Sequence, residues 1–512
     1  MFPLNDRWST HLALAAAVML SPAATAFAQS AAPGAVDDAV TYTPDAAPGA
    51  PIQLLPPAAP AAPRVYPQLT EAQAQALVRM LRDAPQHGLA AARIPSADAS
   101  DRTALIDAAM AQAVRLRNGQ LSPTDFPEDW GLRPAPYDPW PDFNRAVADG
   151  RLAQWIADLP PPYAGYDGLR KALARYRTIA DKGGWPRIAE GPPIGKGATG
   201  PRVASLRKRL RAEDDTIAAT GEFDTALQTA LQRAQKRFGV EPTGTLGPAT
   251  LAALNVSTDD RIGQIMANME RWRWLPRELS TNRIQVNIAA AVLTRFEGDT
   301  PVSSMRAVTG RPGDETPMLQ SSIHSVVLNP PWNVPTSIAT KELWPKERKN
   351  PGYLKRNGFR VIETPEGGKR LQQSSERSAL GKLKFDFDNP YAVYLHDTPA
   401  QATFNQFDRL ASHGCVRLQR PVELAKEVFA TTPEWTPTAI DEALAKGKTV
   451  RAKLAQPVSI YLLYWTAFAS GNGATSLRAD PYKWDKLLAD KLAAKGATTD
   501  APTVTASRAP LR

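Results

Sequence analysis

Only one cysteine, Cys415, occurs in 512 residues. No intrachain disulfide can form, and a cysteine-rich zinc site is excluded. Histidine is nearly as scarce: His11, His87, His324, His396 and His413 are the full set, which argues against a metal enzyme. Past the first residues, no run is apolar enough to span a bilayer. What remains is ordinary for a globular protein, with 43% hydrophobic and 22% charged residues, so a wholly disordered chain is excluded. The length allows about three domains. The 47 prolines imply that some of it is linker. Lys and Arg number 61 against 51 Asp and Glu, a net charge of +10. Such a surface suits a polyanionic neighbour, whether nucleic acid, anionic lipid or cell wall.

The N-terminus narrows those options. Arg7 precedes an apolar run from Leu12 to Leu20, and Ala26-Phe27-Ala28 forms a small-x-small site before Gln29. Together they read as a secretory signal peptide over residues 1–28; an uncleaved anchor is the alternative. The expected location is outside the cytoplasm, with no nucleic-acid partner and no integral membrane span. In an oxidising compartment cysteines usually pair. An unpaired one is a buried relic or a thiol kept for its chemistry.

The fold class expected is multidomain α+β. Residues 29–66 are Ala/Pro-rich and read as a linker. Residues 67–190 read as a helical scaffold domain. Its first helix follows Thr70, with Gln73 completing a capping box, and further helices are predicted at 101–118, 143–158 and from Tyr166 to the Gly183-Gly184 pair. Residues 194–256 carry two amphipathic helices, the second capped by Gly221–Asp224, then a short third helix opening at Pro248. This module resembles the peptidoglycan-binding domain of cell-wall enzymes; a helical spacer is the alternative. After a helix ending in Ala267–Pro276 the period changes to that of strands. Strands are predicted at Arg283–Glu297, Val302–Val308, around HSVVLNP and YAVYLH, and at Val458–Phe468, with a helix at Val422–Phe429, giving a mostly-β domain over 280–470. Within it, 336–384 is a polar insertion of little strand character, basic from Lys341 to Arg360, that reads as a lid. A C-terminal helical region at 471–495 and a disordered tail at 496–512 complete the chain.

The chemistry gathers around Cys415. A thiol is a good nucleophile as thiolate, and a nearby imidazole or cation favours that form. His413 lies two residues before Cys415 and His396 nineteen before. Gly414 removes a side chain beside the nucleophile, so a backbone N–H could face a developing oxyanion. Arg417 offers charge for a substrate carboxylate.

His396, then fifteen residues, then Ser412-His413-Gly414-Cys415-Val416-Arg417 resembles the signature of the L,D-transpeptidases with a YkuD-like catalytic domain. NPPWNVPTSIA (Asn329–Ala339), NPGYL (Asn350–Leu354), ALGKLKF (Ala379–Phe385) and NPYAVYLHDTP (Asn389–Pro399) are similar to the longer Gram-negative subgroup. The segment Gln372–Ser378 departs from it, where relatives usually carry a Pro-Gly turn. The resemblance implies a periplasmic enzyme of peptidoglycan biosynthesis, acting on peptidoglycan stem peptides in the cell wall and acylated by carbapenem inhibitors, with no cofactor and no metal. It implies that Cys415 attacks the third residue of a tetrapeptide stem, and that an amine of a second stem resolves the thioester to a 3→3 cross-link. His396 would be the general base, oriented by Asp397, often through its backbone carbonyl. His413 would be a structural or substrate-side member, and Gly414 and Cys415 N–H groups the oxyanion hole. Arg417 and Tyr394 would line the substrate pocket, with Ser412 and Asp397 beside them. A 1→3 linkage, a hydrolytic variant of the same thioester chemistry and a non-catalytic wall-binding protein remain as alternatives.

Overall fold

The computed structural model describes residues 64–95, 102–365, 367–469 and 475–499. The expected signal peptide and nearly all of the 29–66 linker lie outside the described residues. No helix among those described is long and apolar enough to cross a membrane.

The chain is helical first and mostly β after. Helix α1 (Glu71–Arg82) begins where expected: the Gln73 N–H donates to Thr70 Oγ1 at 3.3 Å, and the Thr70 N–H donates to Gln73 Oε1 at 2.8 Å. Two otherwise orphaned donors are thereby satisfied. Helix α2 (Arg102–Asn118) packs on it. The single helix expected at 143–158 is two, α3 (Trp140–Ala148) and α4 (Leu152–Asp158). The break falls at Gly150, whose φ of 67° lies in the left-handed region and ends a helix. Helix α5 (Ala164–Asp181) closes this part.

Three helices follow: α6 (Pro201–Arg211), α7 (Thr225–Arg237) and α8 (Pro248–Leu254). Asp224 caps α7, accepting the Leu227 N–H at 2.7 Å, and Pro248 opens α8. Helix α9 (Thr258–Trp272) then joins the helical half to the sheet. Its Asn268 bonds to Thr466 on one side, and the buried Glu270–Arg273 pair reaches Tyr166 of α5 on the other.

The expected strand over Arg283–Glu297 is a hairpin, β1 (Asn282–Asn287) and β2 (Val292–Glu297). The alanine run between them makes the turn, with Ala291 at a positive φ of 50°; an unbroken apolar pattern hid it. Strands β3 (Thr300–Gly310) and β4 (Leu319–Leu328) follow. The 336–384 insertion is not strand-poor. It holds β5 (Trp332–Asn333) at its edge, the helical turn α10 (Thr336–Ile338), a π-turn at 339–343, α11 (Trp344–Lys349), α12 (Tyr353–Arg356), β6 (Phe359–Glu363) and β7 (Lys369–Gln373). The last two pair with β5 as a separate sheet, β5-β7-β6. Charged residues at irregular spacing, Arg360 and Glu363 in β6 and Lys369-Arg370 in β7, masked these strands.

Strands β8 (Leu383–Phe387), β9 (Leu395–His396), β10 (Leu410–Ser412) and β11 (Val416–Leu418) come next. YAVYLH contributes only its last two residues to strand. Helices α13 (Pro421–Val428) and α14 (Pro437–Lys446) precede the long β12 (Val450–Leu463). The run expected as one strand to Phe468 breaks at Tyr464–Thr466 before β13 (Ala467–Ala469), which pairs with β14 (Thr475–Leu477). Helix α15 (Trp484–Thr499) runs four residues into the segment expected as tail.

The main sheet runs β3-β11-β9-β8-β4-β12-β1-β2 and closes where β2 pairs with β3, leaving β10 on the far end of β3. Closure removes the exposed edges of an open sheet. Ile284, Val326, Phe385, Leu395, Val416 and Ile460 are fully buried within it.

Helix α15 is tied to α9 by a buried ion pair, Arg271 Nη1 to Asp485 Oδ1 at 2.5 Å. Thr466 Oγ1 donates to the other oxygen of Asp485 at 2.5 Å. Removing Asp485 leaves a guanidinium uncompensated in the core. Asp485→Ala is expected to destabilise the protein by about 3 kcal/mol or more, read as a fall in the urea midpoint; a change under about 1 kcal/mol would fit only a solvated surface pair.

Candidate active site

Strands β10 and β11 both pair with β3, and the turn His413-Gly414-Cys415 joins them. Gly414 sits at φ 105°, where a side chain is strained, and a Cβ there would also meet Glu315 O at 3.3 Å. The turn is tied internally. Ser412 Oγ donates to Cys415 O at 2.5 Å and accepts the Gly414 N–H at 3.2 Å.

The register of three strands builds the site beside that turn. Lys384 of β8 lies opposite His396 of β9, and His396 lies opposite Arg417 of β11. Residues directly opposite on neighbouring strands share a face. The alternate residues Phe385, Leu395 and Val416 face the core, so the polar row faces the other way, alongside Cys415 two residues before Arg417. His396 is 5% exposed. Its Nδ1 lies 2.5 Å from the Asp397 carbonyl oxygen. A carbonyl only accepts, so Nδ1 carries the proton and Nε2 keeps its lone pair. Burial, reinforced by the charges of Arg417 and Lys384, holds the imidazole down to about 3, despite the opposing pull of the Asp397 carbonyl and, more weakly, of the Leu380 carbonyl. The ring is therefore neutral at pH 7 and able to accept a proton. Burial pushes the Cys415 thiol up from 9.0, while Tyr394 as hydrogen-bond partner and the charges of Lys384 and Arg417 act against that rise. Both groups that line the cavity are thus uncharged at rest, a thiol and a neutral imidazole.

A cavity of about 790 Å³ opens over this face. Tyr394, His396, Ser412, His413, Cys415 and Arg417 line it from the sheet, and Trp332, Ile338, Glu342 and Tyr353 from the insertion. The insertion is latched to the turn: His413 Nε2 lies 2.6 Å from Glu342 Oε1. Arg417 has no ion pair or hydrogen bond to its side chain among the described residues and is free for an anionic group. Lys384 is held at 3.0 Å from Asp386, with its ammonium 4.3 Å from the centre of the Tyr394 ring.

Three expected assignments change: Asp397 and Ser412 as substrate contacts and Gly414 as an oxyanion donor. Asp397 meets the imidazole through its carbonyl alone. Its carboxylate turns away to accept the Lys382 and Thr398 N–H groups, each at 2.7 Å, and does not line the cavity. The Gly414 N–H is engaged by Ser412, and the Ser412 hydroxyl is spent inside the turn. The Gly414 N–H is thus not free as an oxyanion donor, and Ser412 borders the cavity with its hydroxyl proton already used. Lys384 and Glu342 were missed in the sequence. A lysine in a strand and a glutamate in a basic helix carry no local signal; only strand register and the insertion's fold bring them to the site.

Residues 281–440 match the family model of the L,D-transpeptidase catalytic domain, YkuD. Residues 199–254 match a peptidoglycan binding domain, and residues 66–173 a scaffold domain. The chain carries a YkuD domain. Strand β12, which lies beyond the matched range, pairs with β4 and β1 and completes the closed sheet of this YkuD domain. A Haemophilus influenzae protein, provisionally named an L,D-transpeptidase, is 30% identical over 250 residues, covering 45% of this chain and 50% of its own. The chain therefore spans half the length of that curated relative. Among solved structures, an L,D-transpeptidase from Mycobacterium smegmatis is 15% identical, with 36% of this chain and 58% of that one covered and a TM-score of 0.20. The catalytic domain of an E. faecium L,D-transpeptidase acylated by ertapenem is 11% identical, with 36% and 99% covered and a TM-score of 0.18.

A half-buried neutral thiol has a distinct pH signature. Alkylation of Cys415 by iodoacetamide should climb about tenfold per pH unit from 6 to 9 with no plateau, because reactivity follows the thiolate fraction. Lys384→Met should move the midpoint higher still. A plateau below pH 8 would mean a preformed thiolate–imidazolium pair and contradict this electrostatic reading.

Proposed function

We propose that the protein is an exported peptidoglycan L,D-transpeptidase that works through a Cys415 thioester. The observation that carries this reading is the shared cavity within a YkuD domain: the chain's one thiol, a neutral His396 whose Nε2 is unprotonated, and an unpartnered Arg417 face the same space. The donor is a tetrapeptide stem. Cys415 Sγ attacks the carbonyl of the third residue while His396 Nε2 takes the thiol proton. The S–C bond forms and the carbonyl oxygen becomes an oxyanion. As that intermediate collapses, the C–N bond to D-Ala breaks, and His396 returns the proton to the departing amine. In the second half an acceptor amine gives its proton to His396 and attacks the thioester. The C–S bond breaks and the thiol is restored. Amide and thioester exchange without redox change, so the stem peptides supply every atom.

Two features favour an amine over water as acceptor. The insertion latched by Glu342 to His413 walls one side of the cavity, and shielding of that kind would limit hydrolysis of a reactive thioester. Its opening suits the flexible side chain of a diamino acid better than a backbone terminus, which favours the 3→3 link. The peptidoglycan-binding module would hold the enzyme on its polymer. The net charge of +10 suits a wall rich in stem carboxylates, and an exported, periplasmic location follows from the substrate and the N-terminal signal.

Cys415→Ala should abolish cross-linking and leave the fold intact. His396→Ala should cost at least ~100-fold and His413→Ala less, since general-base catalysis supplies about 10²–10⁴; equal or reversed losses would overturn the assignment of the base. Intact mass spectrometry should show one carbapenem adduct per chain, absent from Cys415→Ala. The bond made is read from tetrapeptide-rich sacculi incubated with enzyme, digested and sequenced by tandem mass spectrometry. Dimers joined 3→3 with release of D-Ala are expected. Dimers joined 1→3, or trimmed stems without dimers, would overturn the donor or the acceptor assignment.

A further inference from the structure

The geometry points to Thr316 as a positioning residue that, with Tyr482, frees the Cys415 backbone from the sheet and aims its N–H into the cavity as the oxyanion donor. The inference rests on the acyl-transfer reading above.

It begins with a ladder that stops early. Strand β11 pairs with β3 at Leu418–Ala307 and Arg417–Val308. One step outside, the Gln419 N–H donates to Arg306 O at 3.1 Å. Antiparallel strands alternate hydrogen-bonded and non-bonded pairs. Counting along from Gln419–Arg306, the next bonded pair is Arg417–Val308 and the one after is Cys415–Gly310. That last pair does not form. The Gly310 N–H donates instead to Thr316 Oγ1 at 2.8 Å, and Gly310 O accepts from the Tyr482 hydroxyl at 2.5 Å. Both groups of Gly310 that would have bound Cys415 are taken by side chains.

Those two side chains are fixed in turn. Thr316 is fully buried and Tyr482 is 7% exposed. The Thr316 N–H donates to the Tyr482 hydroxyl at 3.3 Å, and Tyr482 stacks on Tyr464 with ring centres 5.2 Å apart. The close approach requires glycine at 310: a Cβ there would lie 2.2 Å from Asp314 O and 2.6 Å from Thr316 N.

Thr316 also reaches the nucleophile's own peptide. Its hydroxyl hydrogen goes to Gly414 O at 2.7 Å. The Gly414–Cys415 peptide is trans, so its N–H points opposite to its C=O. With the carbonyl drawn inward to Thr316, the Cys415 N–H points outward. It makes no hydrogen bond among the described residues, whereas the Gly414 N–H and the Cys415 carbonyl are both engaged by Ser412. One donor is left at the thiol, and Thr316 sets its direction.

Two reactions of Cys415 in the full-length protein separate this role from general disruption. Acylation by a carbapenem passes through a tetrahedral oxyanion. Alkylation by iodoacetamide displaces iodide at a saturated carbon and forms none. Thr316→Val should slow acylation by about 10–100-fold, below the 10²–10³ of deleting a donor outright, because here the donor is misaimed and not removed. The loss should fall on the first-order acylation constant, with the half-saturating drug concentration and the alkylation rate changed less than about twofold on that same reasoning. Thr316→Ser keeps the hydroxyl and should restore acylation. Tyr482→Phe frees Gly310 O to recapture the Cys415 N–H and should also slow acylation selectively; it carries the test if Thr316→Val fails to fold. Equal slowing of both reactions, or of neither, in whichever variant folds would overturn the assignment. A wild-type protein that is alkylated but never acylated would overturn the acyl-transfer reading itself, and the assignment with it.

Discussion

The pairing of β9 between β8 and β11 is the constraint on which the site depends. It sets Lys384, His396 and Arg417 in one row across three strands. A shift of one residue in either register would turn His396 into the core and Leu395 out to the cavity. The full burial of Phe385, Leu395 and Val416 on the other face resists that shift. Burying three Leu- or Phe-sized side chains favours the native register by about 1.5–3 kcal/mol each. The apolar packing inside the closed sheet thus pays for the placement of the polar row outside it.

That row has an electrostatic consequence. Two cations flank an imidazole that is itself out of water, so the ring cannot readily hold a third positive charge at rest. The same burial disfavours the thiolate. Cys415 and His396 therefore both rest uncharged, and in the proposed reaction charge would separate only as the substrate carbonyl is attacked. Lys384 and Arg417 would then lie near the developing negative charge of the proposed reaction, where a water-poor setting would make them count for more. Ground-state neutrality and transition-state stabilisation arise from one arrangement.

Much of the architecture was legible because its signals are local. Thr70 with Gln73, Asp224 and Pro248 mark helix starts through their own backbone chemistry, and the change of period after Pro276 marks the passage to strands. Strand breaks were less legible. The turn at Ala289–Ala291 lies within an apolar run, and the β6–β7 hairpin mixes charged, polar and apolar residues with no period-2 pattern. The chemistry around Cys415 was legible as a cluster in sequence, since His396, His413 and Arg417 lie within about twenty positions of it. Partners brought by the fold were not. Glu342 meets His413 across 71 positions, Thr316 meets Gly414 across 98, and Tyr482 meets Gly310 across 172. Nothing in any of these segments alone marks it as part of a site.

In the proposed acyl-enzyme a substrate carbonyl is bonded to Cys415 with its oxygen directed at the Cys415 N–H. The most direct measurement is a crystal structure of the acyl-enzyme formed with a tetrapeptide donor. The expected structure has a thioester on Sγ, the carbonyl oxygen about 2.7–3.1 Å from the Cys415 nitrogen, and Gly310 still bound to Thr316 and Tyr482. A thioester oxygen turned away, with the Cys415 N–H paired to Gly310 O, would contradict it.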